Sequence, residues 1–179
     1  YDPEKAKEML AEAGYADGFE LQLTVKSSNT LAVDAAQILS EQLAAVGVSV
    51  TLNTLEASNY TTHLPKWDGL LLHPMNIWSS MYSQLSACMA AGVKTGLGVE
   101  GFVKVPDIEN GIAAAREAGS EEAKELFSGV VKNVYDEYCI MDPIFVTNNV
   151  TVVNPKLHDC GIGAITPGYY TLHLAWLEK

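Results

Sequence analysis

Three groups of side chains in this 179-residue chain have types and spacings that can do chemistry. Ser27, Ser28 and Asn29 stand between an alternating apolar segment and a helical one. There they can donate hydrogen bonds to a ligand carboxylate at a helix amino terminus, or form an ordinary cap and turn. Trp78 and Tyr82 are one helical turn apart and can offer a stacking platform to a ligand, or pack in a core. Met75 and Asn76 share that location and add an adaptable thioether and an amide. Trp78, Tyr82, Met75 and Asn76 all fall between Gly69 and Val93, a window without any Asp, Glu, Lys or Arg. Neutral groups that follow a strand end suit the capture of a solute better than acid–base work.

Residues with catalytic or metal-binding potential are poorly placed for it. His63, His73, His158 and His173 show no H-x-x-x-H spacing. His73, close to Met75, can make a soft-metal contact, but a histidine at a strand end is more often satisfied by backbone. Cys88 lies in an apolar helical stretch and reads as a small buried hydrophobe; Cys88, Cys139 and Cys160 form no C-x-x-C pair. Neither G-x-S-x-G nor a P-loop occurs. Gly96, Gly98 and Gly101 have dinucleotide-loop spacing, with no clear strand before them and no clear helix after. Catalytic residues, a cofactor and a metal are therefore not assigned. The formal net charge of −11 argues against nucleic acid and anionic membrane surfaces.

The elements that must position these residues are legible from periodicity. Phe19, Leu21, Leu23 and Val25 alternate with polar residues, as in a strand. Ala35, Ile38, Leu39, Gln42, Leu43 and Val46 then recur at helical spacing up to Gly47, and Val48, Val50 and Leu52 alternate again. A strand, helix and strand with short turns make a parallel crossover, and the turn at 27–30 then lies at a strand's carboxyl end. Upstream, Asp2-Pro3-Glu4 starts a helix with the stripe Ala6, Met9, Leu10 and Ala13, closed by Gly14. Downstream, a short helix begins near Asn59 and ends near Pro65. Residues 67–73 read as a fully buried central strand, and 92–106 as a loop. A helix over 107–118 turns Ile108, Ile112 and Ala115 inward. Another, capped at Ser120, carries Ala123, Leu126, Phe127, Val130, Val131, Val134, Tyr135 and Tyr138. Segments 144–147 and 150–153 read as strands, and 169–177 as an extended aromatic tail. The expected class is α/β, and the turns at 27–30 and 73–82 should open on one rim.

An ordered series of patterns resembles the family 5 extracellular solute-binding proteins, the peptide, nickel and dipeptide receptors of ABC importers. It starts with the run from Tyr1-Asp2-Pro3-Glu4 to Ala13-Gly14-Tyr15, then Asp17-Gly18-Phe19-Glu20. Gln42-Leu43 before Val46-Gly47-Val48 continues it, then Trp67-Asp68, the paired helices, Asp142-Pro143-Ile144 and a closing Trp176-Leu177. The resemblance implies a periplasmic-binding-protein type II lobe, with a mixed, mostly parallel sheet and helices on both faces. It further implies that residues 1–143 are the carboxy-terminal lobe of a two-lobed receptor and that 144–179 run back toward an amino-terminal lobe. The opening at Tyr1, on a helix cap, fits a fragment cut from something longer.

Such a lobe would help capture a small molecule or peptide for an ABC permease, without catalysis and outside the cytoplasm, in the periplasm or lipid-anchored at the cell surface. Ser27, Ser28, Asn29, Met75, Asn76, Trp78 and Tyr82 would face the ligand. Peptide-binding members commonly have Gly-Trp and then an acid after the central strand. Here the sequence is His73-Pro74, then Asn76-Ile77-Trp78, and the acid is missing. A buried amine would lack a counter-charge, so a more neutral, apolar or stacking ligand is implied. Two other classes compete: a thiol or serine hydrolase using Cys88 or a serine, and a module dimerising through the aromatic tail.

Overall fold

The computed structural model describes residues 1–64, 68–74, 80–90, 105–147, 152–161 and 173–178. The chain divides into two compact units, Tyr1–Met141 and Asp142–Lys179.

The first unit opens on helix α1 (Pro3–Glu12), with proline in its first turn and Asp2 accepting from the Lys5 amide at 3.0 Å. Strand β1 (Phe19–Lys26) leads through a turn to helix α2 (Thr30–Ala44), then to strand β2 (Val48–Leu55). β2 pairs parallel to β1 over its full length, from Phe19 with Val48 to Lys26 with Leu55. This is the crossover expected from the alternating–helical–alternating pattern. Gly18 makes that close start possible: its φ is +75° and a Cβ there would collide with the Gly47 carbonyl oxygen.

Helix α3 (Ala57–His63) follows, then strand β3 (Leu70–Leu72), parallel to β1 on the side away from β2. The order β2-β1-β3 makes β1 the middle strand, so the expected fully buried central strand at 67–73 is corrected. Only three residues pair, and Leu70 is 39% exposed. Its uniform apolar composition is that of a buried strand, but Gly69, at φ +76°, turns the chain immediately before it.

Helices cover both sheet faces. Leu23 and Val25 bury against Ala32 and Ala36 of α2, with Val33, Leu39, Val50, Leu52 and Leu72 around them. The expected α2 stripe is partly out of phase, since Ile38 is 58% exposed while Ala32 and Ala36 are buried. Small residues let the helix approach the strand closely, and the larger Ile38 falls outside the contact. On the other face, fully buried Thr24 meets His63 of α3 at 3.4 Å, and Asn53 donates to both Gln22 and Thr24 at 3.2 Å. A buried hydroxyl without such partners would be costly, so this network fixes α3 over the sheet.

A second core is helical. Helices α4 (Met81–Met89), α5 (Pro106–Glu117) and α6 (Ser120–Lys132) enclose Leu85, Cys88, Met89, Ile108, Ile112 and Val130, joined by Val105 and Val134. Ile108, Ile112 and Ala115 are inward, as the spacing requires. α6 starts behind Gly119 without a side-chain cap, unlike the expected cap at Ser120. It passes at Lys132 into a π-helical turn, Asn133–Glu137, after which Tyr138 donates to Asp107 at 2.8 Å. The expected loop over 92–106 lies outside the described residues except at its end.

In the second unit, strand β4 (Leu157–His158) pairs antiparallel with β5 (Trp176–Leu177). The rings of His158 and Trp176 stack at 4.3 Å, and the Trp176 indole donates to Asp159 at 2.7 Å. Residues 144–147 are exposed and form no strand, nor do 152 and 153, which corrects both expectations. A strand requires a partner ladder, and among the described residues none pairs with these segments. Residues 150–151 and 169–172 lie outside the described residues. No described helix is long and apolar enough to cross a membrane.

Candidate functional site

Parallel pairing sets the geometry of the candidate site. Val25 is level with Leu72 and Lys26 with Leu55, so β1, β2 and β3 all end at one sheet edge. The chain leaves that edge as Ser27–Ser28–Asn29 after β1 and as His73–Pro74 after β3. The two turns therefore share a rim as far as residue 74.

At the first turn the hydrogen bonds are largely internal. The Ser27 amide donates to the Leu55 carbonyl at 2.8 Å and the Asn29 amide to the Lys26 carbonyl at 3.1 Å. The Asn29 side-chain oxygen accepts from the Ala32 amide at 3.1 Å, capping α2. Among the described residues the two serine hydroxyls and the Asn29 amide nitrogen have no partner, and these are what the turn can offer a solute. Ser27 and Asn29 are half-buried, and Ser28 is exposed. The capping role is thus realised, and it does not consume the whole polar inventory.

At the second turn, His73 is half-buried and its Nδ1 lies 2.8 Å from the Tyr60 hydroxyl. The two rings are stacked, 5.9 Å apart and only 6° from parallel. Burial pushes the Tyr60 phenol up to about 12, so it keeps its proton at neutral pH. Burial, and next the charge of Lys26, lower the His73 imidazole below its ordinary value, so the ring is neutral. Tyr60 and Lys26 were not singled out by their sequence. The available signal was the alternation that puts Gln22, Thr24 and Lys26 on one strand face, which is the face α3 covers.

Of the other candidates, Met75, Asn76 and Trp78 lie outside the described residues. Tyr82 is half-buried in α4, its ring meeting Phe127 edge-on at 5.2 Å. That contact ties Tyr82 to the helical core. Cys88 is 2% exposed inside that core, far from the reactive setting a thiol nucleophile needs. Among the described residues no group of three or more His, Cys, Asp or Glu can hold a metal ion.

Three comparisons bear on this arrangement. Residues 1–92 match the family described as bacterial extracellular solute-binding proteins, family 5 middle. The glutathione-binding protein GsiB of Salmonella typhimurium strain LT2 is 40% identical over 57 residues, covering 32% of this chain and 11% of that protein. Heme-binding protein A of Haemophilus influenzae is 41% identical over 64 residues, covering 34% of this chain and 12% of that one. The solved structure of clavulanic acid biosynthesis oligopeptide binding protein 2 superposes with a TM-score of 0.80 at 21% identity, covering 99% of this chain and 34% of that chain. The aligned stretch thus spans about a tenth of the curated relatives' length and about a third of the matched structure.

Proposed function

The chain belongs to the family 5 bacterial extracellular solute-binding proteins, a family of non-enzymatic binding proteins, and from that premise we propose that it is a ligand-binding lobe of an ABC-importer receptor. Its α/β fold with a parallel sheet is that of a periplasmic-binding-protein lobe. The lobe comprises residues 1–143, and 144–179 run toward the rest of the receptor. A small solute is captured at the strand-end rim by Ser27, Ser28 and Asn29 together with Met75, Asn76, Trp78 and Tyr82. The receptor works outside the cytoplasm and passes its cargo to a membrane permease.

The observation that carries this reading is the common ending of three parallel strands, which brings residues 27–29 and 73–74 to one edge. Open α/β sheets bind ligands at that edge because loop side chains and helix amino termini converge there. Names of the relatives widen the range of solutes: one is called glutathione-binding, another heme-binding. Solutes differ between such proteins through cleft side chains rather than fold.

A thermal-shift screen of the full-length receptor against peptides, metal chelates and small acids tests the assignment. A solute that raises the melting temperature should lose its effect in a Trp78→Ala variant. An undiminished shift would move the site away from the rim.

A further inference from the structure

The Tyr60–His73 contact joins α3 to the end of β3, and the two sides of that contact are held unequally. α3 is also tied to β1, because its His63 meets the buried Thr24 hydroxyl at 3.4 Å. β3 has less to hold it. It pairs with β1 over only three residues, Leu70 to Leu72, against eight for β2, and Leu70 is 39% exposed. A short ladder of this kind opens locally at a fraction of the free energy of global unfolding. His73 directly follows the ladder, so a change in its charge acts where the sheet is weakest.

The contact suits a neutral imidazole. Tyr60 is 3% exposed, and among the described residues the partner of its hydroxyl is the His73 Nδ1 at 2.8 Å. The phenol therefore donates and Nδ1 accepts, with the ring's own proton on Nε2. A proton added at Nδ1 removes that acceptor and leaves a buried hydroxyl hydrogen without a partner. It also places a cation beside Lys26, since Val25 is level with Leu72 and the two residues that follow stand side by side. Lys26 is the charged group that faces the ring from β1, and α3 contributes the titratable Tyr60 and His63. The nearest acid along the edge is Glu56, which follows Leu55 on the far side of Lys26. Burial and Lys26 accordingly hold the imidazole below its ordinary value.

We propose that the Tyr60–His73 contact is an acid-released latch: protonation of the imidazole frees the end of β3 from α3, while α2, β1 and β2 keep their packing. Moving out with β3, the imidazolium gains water and leaves Lys26 behind. The sign follows from linkage. The closed latch binds the proton less tightly than the open one, so acid favours the open form. The latch stands at the edge where the solute is proposed to bind, and its bearing on capture rests on that reading; the opening itself does not.

Amide hydrogen exchange by nuclear magnetic resonance on the labelled 179-residue chain tests this, read as protection factors between about pH 7.5 and about pH 5. Protection of the β3 amides should fall about fivefold on acidification, in step with the His73 ring titration, while that of β2 holds. His73→Gln, which accepts a hydrogen bond without titrating, should show the same β3 protection at both ends of the range. Lys26→Gln should shrink the acid loss, and Lys26→Arg should keep it. A loss that persists in His73→Gln would assign it to another group, His63 foremost, and overturn the latch. So would a His73 ring that titrates at or above its ordinary value, since stacking on Tyr60 would then be stabilising the cation. Flat β3 protection while the ring of the unaltered chain titrates would also overturn it, and so would an equal loss in β2, which marks general acid unfolding. None of these outcomes touches the strand-end site, which the solute screen tests separately.

Discussion

At the rim, a single residue can cap a helix and still offer a polar atom to a solute, and the two uses separate by atom. Asn29 shows this: its oxygen caps α2 while its amide nitrogen has no partner among the described residues. Asn29→Ala is expected to lower stability by about 1 kcal/mol, the usual worth of such a cap, and Asn29→Asp to keep most of it. Urea unfolding of the three proteins decides the point, and a neutral alanine would mean that the cap contributes nothing. His73 gives a pH signature. Its folded-state pKa lies below the ordinary 6.5, so the unfolded chain binds more protons at mildly acidic pH. The stability tied to its neutral form is complete above about pH 6.5 and declines as pH falls toward the lowered folded value. A ring titration with a midpoint at or above 6.5 in the folded protein would contradict the burial and the Lys26 proximity that cause the shift.

Among the elements, legibility followed how strongly each segment's own pattern excluded alternatives. β1 and β2 alternate cleanly, and both were readable because a one-residue slip would turn Leu23 and Val25 out to solvent. Ile108, Ile112 and Ala115 on α5 were readable for the same reason at helical period. α2 was harder. Its buried contacts are the alanines 32 and 36, and a reading weighted toward bulk favours Ile38, which the tight helix–strand approach leaves outside. β3 was misjudged because composition indicates that a segment is apolar, not how many neighbours it pairs with. Its register hangs on Gly69, whose positive φ and contact with the Gln22 carbonyl leave no room for a Cβ. Gly69→Ala should therefore push β3 off β1 at a cost of about 1–3 kcal/mol. Amide exchange at Leu71 and Leu72 should speed up while that of β2 changes little; equal protection in both proteins would show that the edge tolerates the side chain.

At the scale of the molecule, the candidate site was legible only as a location. Crossover topology puts strand ends on one edge whatever their side chains are, so 27–29 and 73 could be brought together from sequence. The Tyr60–His73 pair could not, because it depends on how α3 lies across the sheet, and the Gln22–Thr24–Asn53–His63 network that sets this joins three separate elements. The same network supports a prediction about modularity. Both hydrophobic clusters draw every member from Tyr1–Met141: one under α2, the other among α4, α5 and α6. Folding free energy resides mainly in such buried apolar contacts. A chain ending at Met141 should therefore keep a cooperative unfolding transition with a midpoint near that of the whole chain. Within it, Ile108→Ala should cost about 2–5 kcal/mol, since it opens a cavity among the buried side chains of the helical core. Circular dichroism melts of the two lengths, each with and without the substitution, test this directly. Loss of cooperativity on truncation alone would show that Asp142–Lys179 supplies part of the fold rather than an extension of it.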